Sequence, residues 1–479
     1  MKSLVLILKT FTLLSLIGWN TKSSPNKSQV NRKSEETYTK KIDEFITEYY
    51  NNDQFNGNVL VVKKDSVLFQ KSFGYLSVQQ EVELNKNSIF KIGSIAKEFN
   101  AVAIMMLQER GLLNIDDPIS KYELNLPDWS SKITAKHLLN YTSGLPRIDT
   151  VSWLKNDDDA WKVLRESDTL LFEPTSRFLY DNSNIFLQRR IIEKVSGQSY
   201  EKFILENIVK PLKMEHSVHV PEEGHPNKTF CYDKDKNPCP KMEFISGWLW
   251  VTANDLHKWV KALNENILIS QKSFDELLRN PFFKSTASYP NYSTSPSPFG
   301  EYFEKSRIHR HNGISYQFES ILINDLKNDL VVIVLSNYRN KVWNLGHSIH
   351  NILLDKPYKS IYEAIRIRTI QDVDSGIKAY RELKEKHQDL YQFDKPSDLN
   401  RLGYELLRMD KKEEAIKIFL LATSEFPNDA NLFDSLGEGY FENGQYDLSL
   451  FNYKKSLQMN PGNKNGEEMI EKINAILNQ

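Results

Sequence analysis

Apolar positions change their spacing along this chain, and the changes mark its elements. Between residues 37 and 50, Tyr38, Ile42, Phe45, Ile46 and Tyr49 recur at helical spacing, with Lys40, Lys41, Asp43, Glu44 and Glu48 on the other faces. That pattern predicts an amphipathic helix. Two β-rich runs follow, Asn58–Lys63 and Ser66–Lys71, around a Lys64-Asp65 turn. They read as a hairpin. Further on, Phe99, Val102, Ala103, Met106 and Leu107 repeat at helical spacing, while Ile104 and Met105 fill the remaining faces. A helix running from about Ser94 to Gly111 is therefore apolar nearly all round, which predicts a central, buried position.

Thr134 is placed to cap a short helix that Ser143-Gly144-Leu145-Pro146 ends, and another helix runs through Ile185, Leu187, Ile191, Ile192 and Val195 to Gly197. Thr252 is a good N-cap, with Asp255 as its first-turn anion. Residues 283 to 300, rich in Ser, Pro, Tyr and Asn, read as a surface loop, and Gln317–Ile323 with Leu330–Leu335 form a second expected hairpin.

From about residue 358 strand signals vanish and an internal repeat of 34 residues appears. Leu402-Gly403 returns as Leu436-Gly437, Phe419 as Tyr453, Ala415 and Ala422 as Ser449 and Ser456, and Pro427 as Pro461. Small residues at such places let paired helices pack closely, and a proline closes each unit. The pattern over residues 396 to 463 resembles the tetratricopeptide repeat. Two repeats are too few to stand alone, so flanking helices around Ile377 to Tyr380 and Glu467 to Leu477 are expected to complete the stack.

Composition adds bounds. The 479 residues are 40% hydrophobic and 26% charged, with a formal net charge of -1, so neither nucleic acid nor another polyanion is an expected partner. The start of the chain, with basic Lys2 and Lys9 around Leu4 to Leu8 and an apolar run from Phe11 to Gly18, fits a secretory signal peptide, with a short uncleaved anchor as the alternative. No stable membrane span and an extracytoplasmic body are expected. Cys231 and Cys239 could close a small loop in an oxidising compartment or remain free thiols. His216, His219 and His225 lie nearby, but their spacing matches no standard zinc pattern. No metal or organic cofactor is expected.

The chemistry begins with Ser94-x-x-Lys97, a pair one helical turn apart. A serine hydroxyl becomes a nucleophile when a base takes its proton, and a neutral lysine one turn away can be that base. Burial favours the neutral form. Two further motifs stand in order, Tyr180-Asp181-Asn182 and His311-Asn312-Gly313. Together with Phe90 to Phe99, the Leu138-to-Pro146 segment, the run from Tyr180 to Gly197 and Pro211-Leu212-Lys213-Met214, they resemble the class C β-lactamase-like family over roughly residues 37 to 355. That family includes class C β-lactamases, D-Ala-D-Ala carboxypeptidases, D-aminopeptidases and family VIII esterases.

The resemblance implies an α+β fold, an antiparallel sheet flanked by helices with an all-α lobe and Ser94 at their junction, followed here by the all-α repeat segment. It implies Ser94 as the acylated nucleophile, with Lys97 and Tyr180 sharing base and acid duties. Asn182 would hold Lys97 and bind the substrate amide, and His311 would line the far wall of the cleft. The backbone N–H groups of Ser94 and Ile314 would form the oxyanion hole, with Gly313 letting the strand approach closely. True class C β-lactamases carry lysine where His311 stands, which favours an esterase or peptidase type of hydrolase acting on a small ester, amide or D-amino-acid peptide. A β-lactamase proper, or a catalytically lapsed binding protein, are the alternatives. Asp181 replaces the usual small residue and is expected to point outward, since an inward carboxylate would raise the Lys97 pKa. The expected organisation is a signal peptide over 1–19, a disordered lead-in over 20–36 and a hydrolase domain over 37–357. A helical linker or degenerate repeat over 358–395 and a repeat domain over 396–479 complete it, the last binding a peptide or protein partner or bracing the hydrolase.

Overall fold

The predicted N-terminal hairpin starts a larger sheet. In the computed structural model, which describes residues 27–77, 79, 81–239, 249–278, 295–340 and 342–478, strands β1 (Gly57–Lys63) and β2 (Ser66–Phe73) join β3 (Ser295–Ser297), β4 (Gly300–Phe303), β5 (Ile308–Ser315), β6 (Phe318–Asp325) and β7 (Leu330–Ser336). Their order is β2-β1-β7-β6-β5-β4-β3, and every pairing is antiparallel. Lys64 and Asp65 take φ of 48° and 61°, the left-handed pair that a two-residue turn needs to match strand twist.

Strand alternation then sorts the core. Val59 and Val61 of β1, Ile321 and Ile323 of β6, and Val332 and Val334 of β7 meet Ile42, Phe45 and Ile46 of helix α1 (Lys27–Asn51). Their neighbours Leu60, Val62, Leu322, Ile333 and Leu335 face the opposite cluster. That second layer holds α2 (Lys97–Glu109), whose residues Lys97 to Leu107 are all buried. The all-round apolar pattern is thus a helix enclosed on every side. The Phe99 ring stacks on Trp259 of the helix Ala253–Asn264 at 3.8 Å between centroids. The all-α lobe continues from it, with Thr134 capping Ala135–Leu139 and α3 (Asn182–Ser196) packed on α2.

Several expectations shift. Helix α1 begins at Lys27, so the second half of the expected disordered lead-in is helical. Residues 295–300, the end of the stretch expected as a surface loop, form the edge hairpin β3–β4 with residues 301–303. Most of the preceding Ser/Pro-rich stretch, and the whole signal-peptide segment, lie outside the described residues. Cys231 and Cys239 form a disulfide with Cα atoms 5.5 Å apart, inside the usual range. Among the described residues no helix is long and apolar enough to cross a membrane.

Beyond residue 360 the chain is helical apart from Tyr391–Gln392, which pairs in parallel with Lys359–Ser360 where no strand was expected, and it has its own core, including Leu402, Leu406, Phe419 and Leu436. The helices Pro396–Arg408 and Lys412–Glu425 are followed at the repeat offset by Ala430–Glu442 and Tyr446–Met459. Equivalent contacts recur, with Gly403 against Phe419 and Gly437 against Tyr453. Tyr404 Oη donates to Glu438 across one repeat at 2.7 Å. A β-carbon at Gly403 would stand 2.3 Å from the Phe419 ring, against 3.0 Å at Gly437 from Tyr453. Helix propensity favours alanine over glycine by about 1 kcal/mol at both, but overpacking costs about 1–3 kcal/mol. Gly403→Ala is therefore expected to lower the thermal midpoint in circular dichroism, and Gly437→Ala to leave it nearly unchanged.

Candidate active site

Ser94 sits in a 3₁₀ turn, Gly93–Ala96, that runs straight into α2. The turn can lie against β5 because of two glycines. Gly93 has φ of 55°, and a β-carbon there would stand 2.5 Å from the Ile314 nitrogen. At Gly313 a β-carbon would stand 1.9 Å from the Ile92 carbonyl oxygen. Side chains at either place would push the strand away from the serine, so the backbone N–H of Ile314 is brought beside the serine turn.

Lys97 is 3% exposed, and its Nζ donates to Ser94 Oγ at 3.1 Å. Tyr180 Oη lies 3.0 Å from the same Oγ. The Tyr180 ring comes from the loop before α3, is 41% exposed, and packs on Tyr141 at 4.8 Å. Lys97 Nζ sits 5.2 Å from that ring's centroid. Two side chains from different elements thus converge on the Ser94 hydroxyl.

The residues after Tyr180 are placed differently from expectation. Asp181 points inward rather than outward and is 1% exposed. It caps α3 through Ser183, pairs with Arg147 Nε at 3.1 Å and accepts the Ile148 N–H at 3.1 Å. Asn182 gives its backbone N–H and its Nδ2 to Asp149, at 3.0 and 2.7 Å. Its Oδ1 is buried without a hydrogen-bond partner among the described residues. The expected hydrogen bond from Lys97 to Asn182 is not formed. Burial and the Asp181 charge push Asp149 above the usual carboxylate range, against the pull of Asn182 and Lys97. Sequence reasoning missed Asp149; its signal was a carboxylate just past the Ser-Gly-Leu-Pro turn.

His311 and Gly313 share one face of β5 with His309, turned toward α2. There Glu98 is completely buried. Its Oε1 lies 2.7 Å from His311 Nδ1 and 3.0 Å from His309 Nε2, and its Oε2 accepts from Trp259 Nε1 at 2.8 Å. Burial raises a carboxyl pKa, but the two imidazoles outweigh it through charge and hydrogen bonds and hold Glu98 at about 2. An ionised carboxylate only accepts, so both rings donate to it. Burial pushes His311 below the usual imidazole range, with Glu98 opposing. Glu98 and His309 also escaped sequence reasoning, although a carboxylate inside an all-round apolar helix signals a buried partner.

Among the described residues, Glu98, His309 and His311 are also the set whose liganding atoms gather within 4.8 Å, as a metal would need. His309 Nδ1, however, has no hydrogen-bond partner, where a metal-bound imidazole normally has one. The arrangement fits a carboxylate clamped by N–H donors. His216, His219 and His225 gather in no such set.

Known proteins share this framework. The β-lactamase family profile matches residues 42–354, which span the sheet, the lobe and all three motifs. The chain belongs to the β-lactamase family. It is 28% identical over 318 residues to penicillin-binding protein 4* of Bacillus subtilis, covering 59% of this chain and 68% of that one. It is 26% identical over 353 residues to a teichoic acid D-alanine hydrolase of Staphylococcus aureus, covering 71% and 84%. The octameric penicillin-binding protein homologue from Pyrococcus abyssi superposes with a TM-score of 0.57 at 25% identity, covering 66% and 77%.

Arg310 stands between His309 and His311 on β5 but does not share their buried face. It lies on the other face of β5, pairs with Glu301 and donates to His347 Nε2 at 2.8 Å. Burial, then the Arg310 charge, push His347 down to about 3. Below the unfolded value of about 6.5 the unfolded chain takes up a proton that the folded one refuses until about pH 3. Stability is therefore lost as pH falls, by about 2 kcal/mol between pH 7 and 5 from this group. Urea midpoints at the two pH values should show that loss, and His347→Gln should remove this part of it.

Proposed function

We propose that this β-lactamase-family chain is a serine hydrolase of the esterase or peptidase type, working through a covalent acyl-enzyme on a small ester, amide or D-amino-acid peptide. The observation that carries the reading is the convergence of Lys97 Nζ and Tyr180 Oη on Ser94 Oγ, at 3.1 and 3.0 Å. Both distances lie within proton-transfer reach. As Oγ attacks the carbonyl carbon, one of the two groups takes its proton, and the pair returns a proton to the leaving group. Water then attacks the acyl carbon in the reverse order. In this reading the N–H groups of Ser94 and Ile314 receive the carbonyl oxygen, where fixed donors lower the barrier by about 3–4 kcal/mol each. Asn182, two residues from Tyr180, and its partner Asp149 add polar groups on the Lys97 side.

A β-lactamase proper is the second reading, and His311 weighs against it. A neutral imidazole holds a β-lactam carboxylate less well than a lysine. The relatives point toward the cell envelope, a penicillin-binding protein and a teichoic acid D-alanine hydrolase among them. This supports an extracytoplasmic site of action. We read the C-terminal helix pairs as tetratricopeptide repeats that brace the hydrolase domain or bind a peptide segment.

The test is intact-protein mass spectrometry after incubation with a fluorophosphonate and, separately, with a penicillin. One fluorophosphonate adduct per chain, absent in Ser94→Ala, is expected. Ester turnover in that variant should fall by at least about a thousandfold. A lasting penicillin adduct would move the reading toward the peptidase type, and rapid release of opened penicillin toward a β-lactamase. Folded protein that takes neither reagent would leave the lapsed binding protein.

A further inference from the structure

The clamp on Glu98 has no part in the chemistry described so far, yet it joins the residue after Lys97 to the third motif. Three N–H donors meet one fully buried carboxylate, from His311, His309 and Trp259. Such a group is costly to bury and leaves its partners little freedom. The two imidazoles differ in one respect. The His309 side chain is sealed at 0% exposure, whereas that of His311 keeps 7%. His311 also lies close enough to Lys97 to feel its charge, and it stands on the strand that supplies Ile314. Its ring therefore separates Glu98 from the cleft. With Nδ1–H given to Glu98, a neutral ring carries its lone pair on Nε2.

We propose that Glu98 is a positioning residue: it fixes His311 as the Nδ1–H tautomer, so that the third-motif wall offers the substrate a hydrogen-bond acceptor. The inference rests on the hydrolase reading above and narrows its substrate class. Where the lysine of a β-lactamase offers a cation to a carboxylate, this wall takes a hydroxyl or ammonium on the leaving-group side and repels a carboxylate lone pair. Asp149, which binds Asn182 and lies near enough to Lys97 to feel its charge, is a second carboxylate close to the serine pair.

The experiment uses the full chain labelled with ¹⁵N-histidine. Long-range ¹H–¹⁵N correlation, with the His311 signal assigned from its loss in His311→Asn, reads the tautomer without reference to activity. Nδ1–H is expected. Turnover is compared for the acetyl-D-alanyl esters of glycerol and of lactate, which share the acyl group and differ in a hydroxyl or a carboxylate on the leaving side. The wild type is expected to prefer the glycerol ester at least tenfold in kcat/KM. Glu98→Leu, which removes the acceptor, should release His311 to the Nε2–H form and shrink that preference to under threefold, a change that a merely structural loss, read as a fall in thermal midpoint, does not produce. If the leucine variant does not fold, Glu98→Gln takes its place, since one amide cannot accept from Trp259 and from both imidazoles.

An Nε2–H ring in the wild type overturns the proposal whatever the variants do, and so does a preference for the lactate ester. A variant whose tautomer changes while the ester preference stays also overturns it. Turnover of neither ester together with no fluorophosphonate adduct removes the hydrolase reading itself, and this proposal with it.

Discussion

The site depends on one close approach between backbones. The turn carrying Ser94 lies on strand β5 because neither Gly93 nor Gly313 has a β-carbon to separate them. The approach sets Ser94 beside the Ile314 N–H and carries His311 over α2 at the same time. In the hydrolase reading proposed above that N–H is an oxyanion donor, and such a donor displaced by an ångström loses most of its effect. The seven-stranded sheet serves as the rigid base for this contact, with β5 held by β6 on one side and β4 on the other.

Around that contact the molecule accepts an unusual electrostatic arrangement. Lys97, Glu98 and His311 are all buried within one stretch of helix and strand. A buried carboxylate left without partners would cost several kcal/mol, and here it is met by three N–H donors. The adjacent lobe supplies the groups that must reach solvent and substrate. Tyr180 is held by packing on Tyr141 and by the capping of Asp181 on α3, while its hydroxyl stays open to the cleft. Rigid support and an exposed tip are a suitable combination for a group proposed to pass protons to and from a substrate.

The C-terminal helices follow a separate logic. Their core is built from repeated small-to-aromatic contacts between neighbouring helices, so each helix pair depends on the next one for burial. Ion pairs such as Lys359 with Glu48 fasten the start of this segment to α1. Exposed pairs of that kind contribute about 1 kcal/mol or less. Any bracing of the β-lactamase-family domain must therefore come mainly from packed surface.

Local pattern by itself determined much of this protein. The alternation of Val59 to Val62, the turn at Lys64-Asp65, the all-round apolar α2 and the repeat of helices near residue 400 are set by side-chain periodicity and backbone preference over a few residues, which a sequence states directly. The Ser94, Lys97 and Tyr180 positions were legible for a related reason, since each stands in a short motif with fixed local geometry. What only the tertiary structure decided were the pairings across long separations. The carboxylate of Glu98 meets imidazoles more than 200 residues away, Arg310 donates to His347, and Asn182 bonds Asp149 where a contact with Lys97 was expected. The edge hairpin at residues 295–303 belongs with these, because its pairing partner β5 exists only once the sheet is assembled. Such partners are fixed by which burial arrangement satisfies the most polar groups at once, and that condition is written in the folded chain as a whole and in none of its segments.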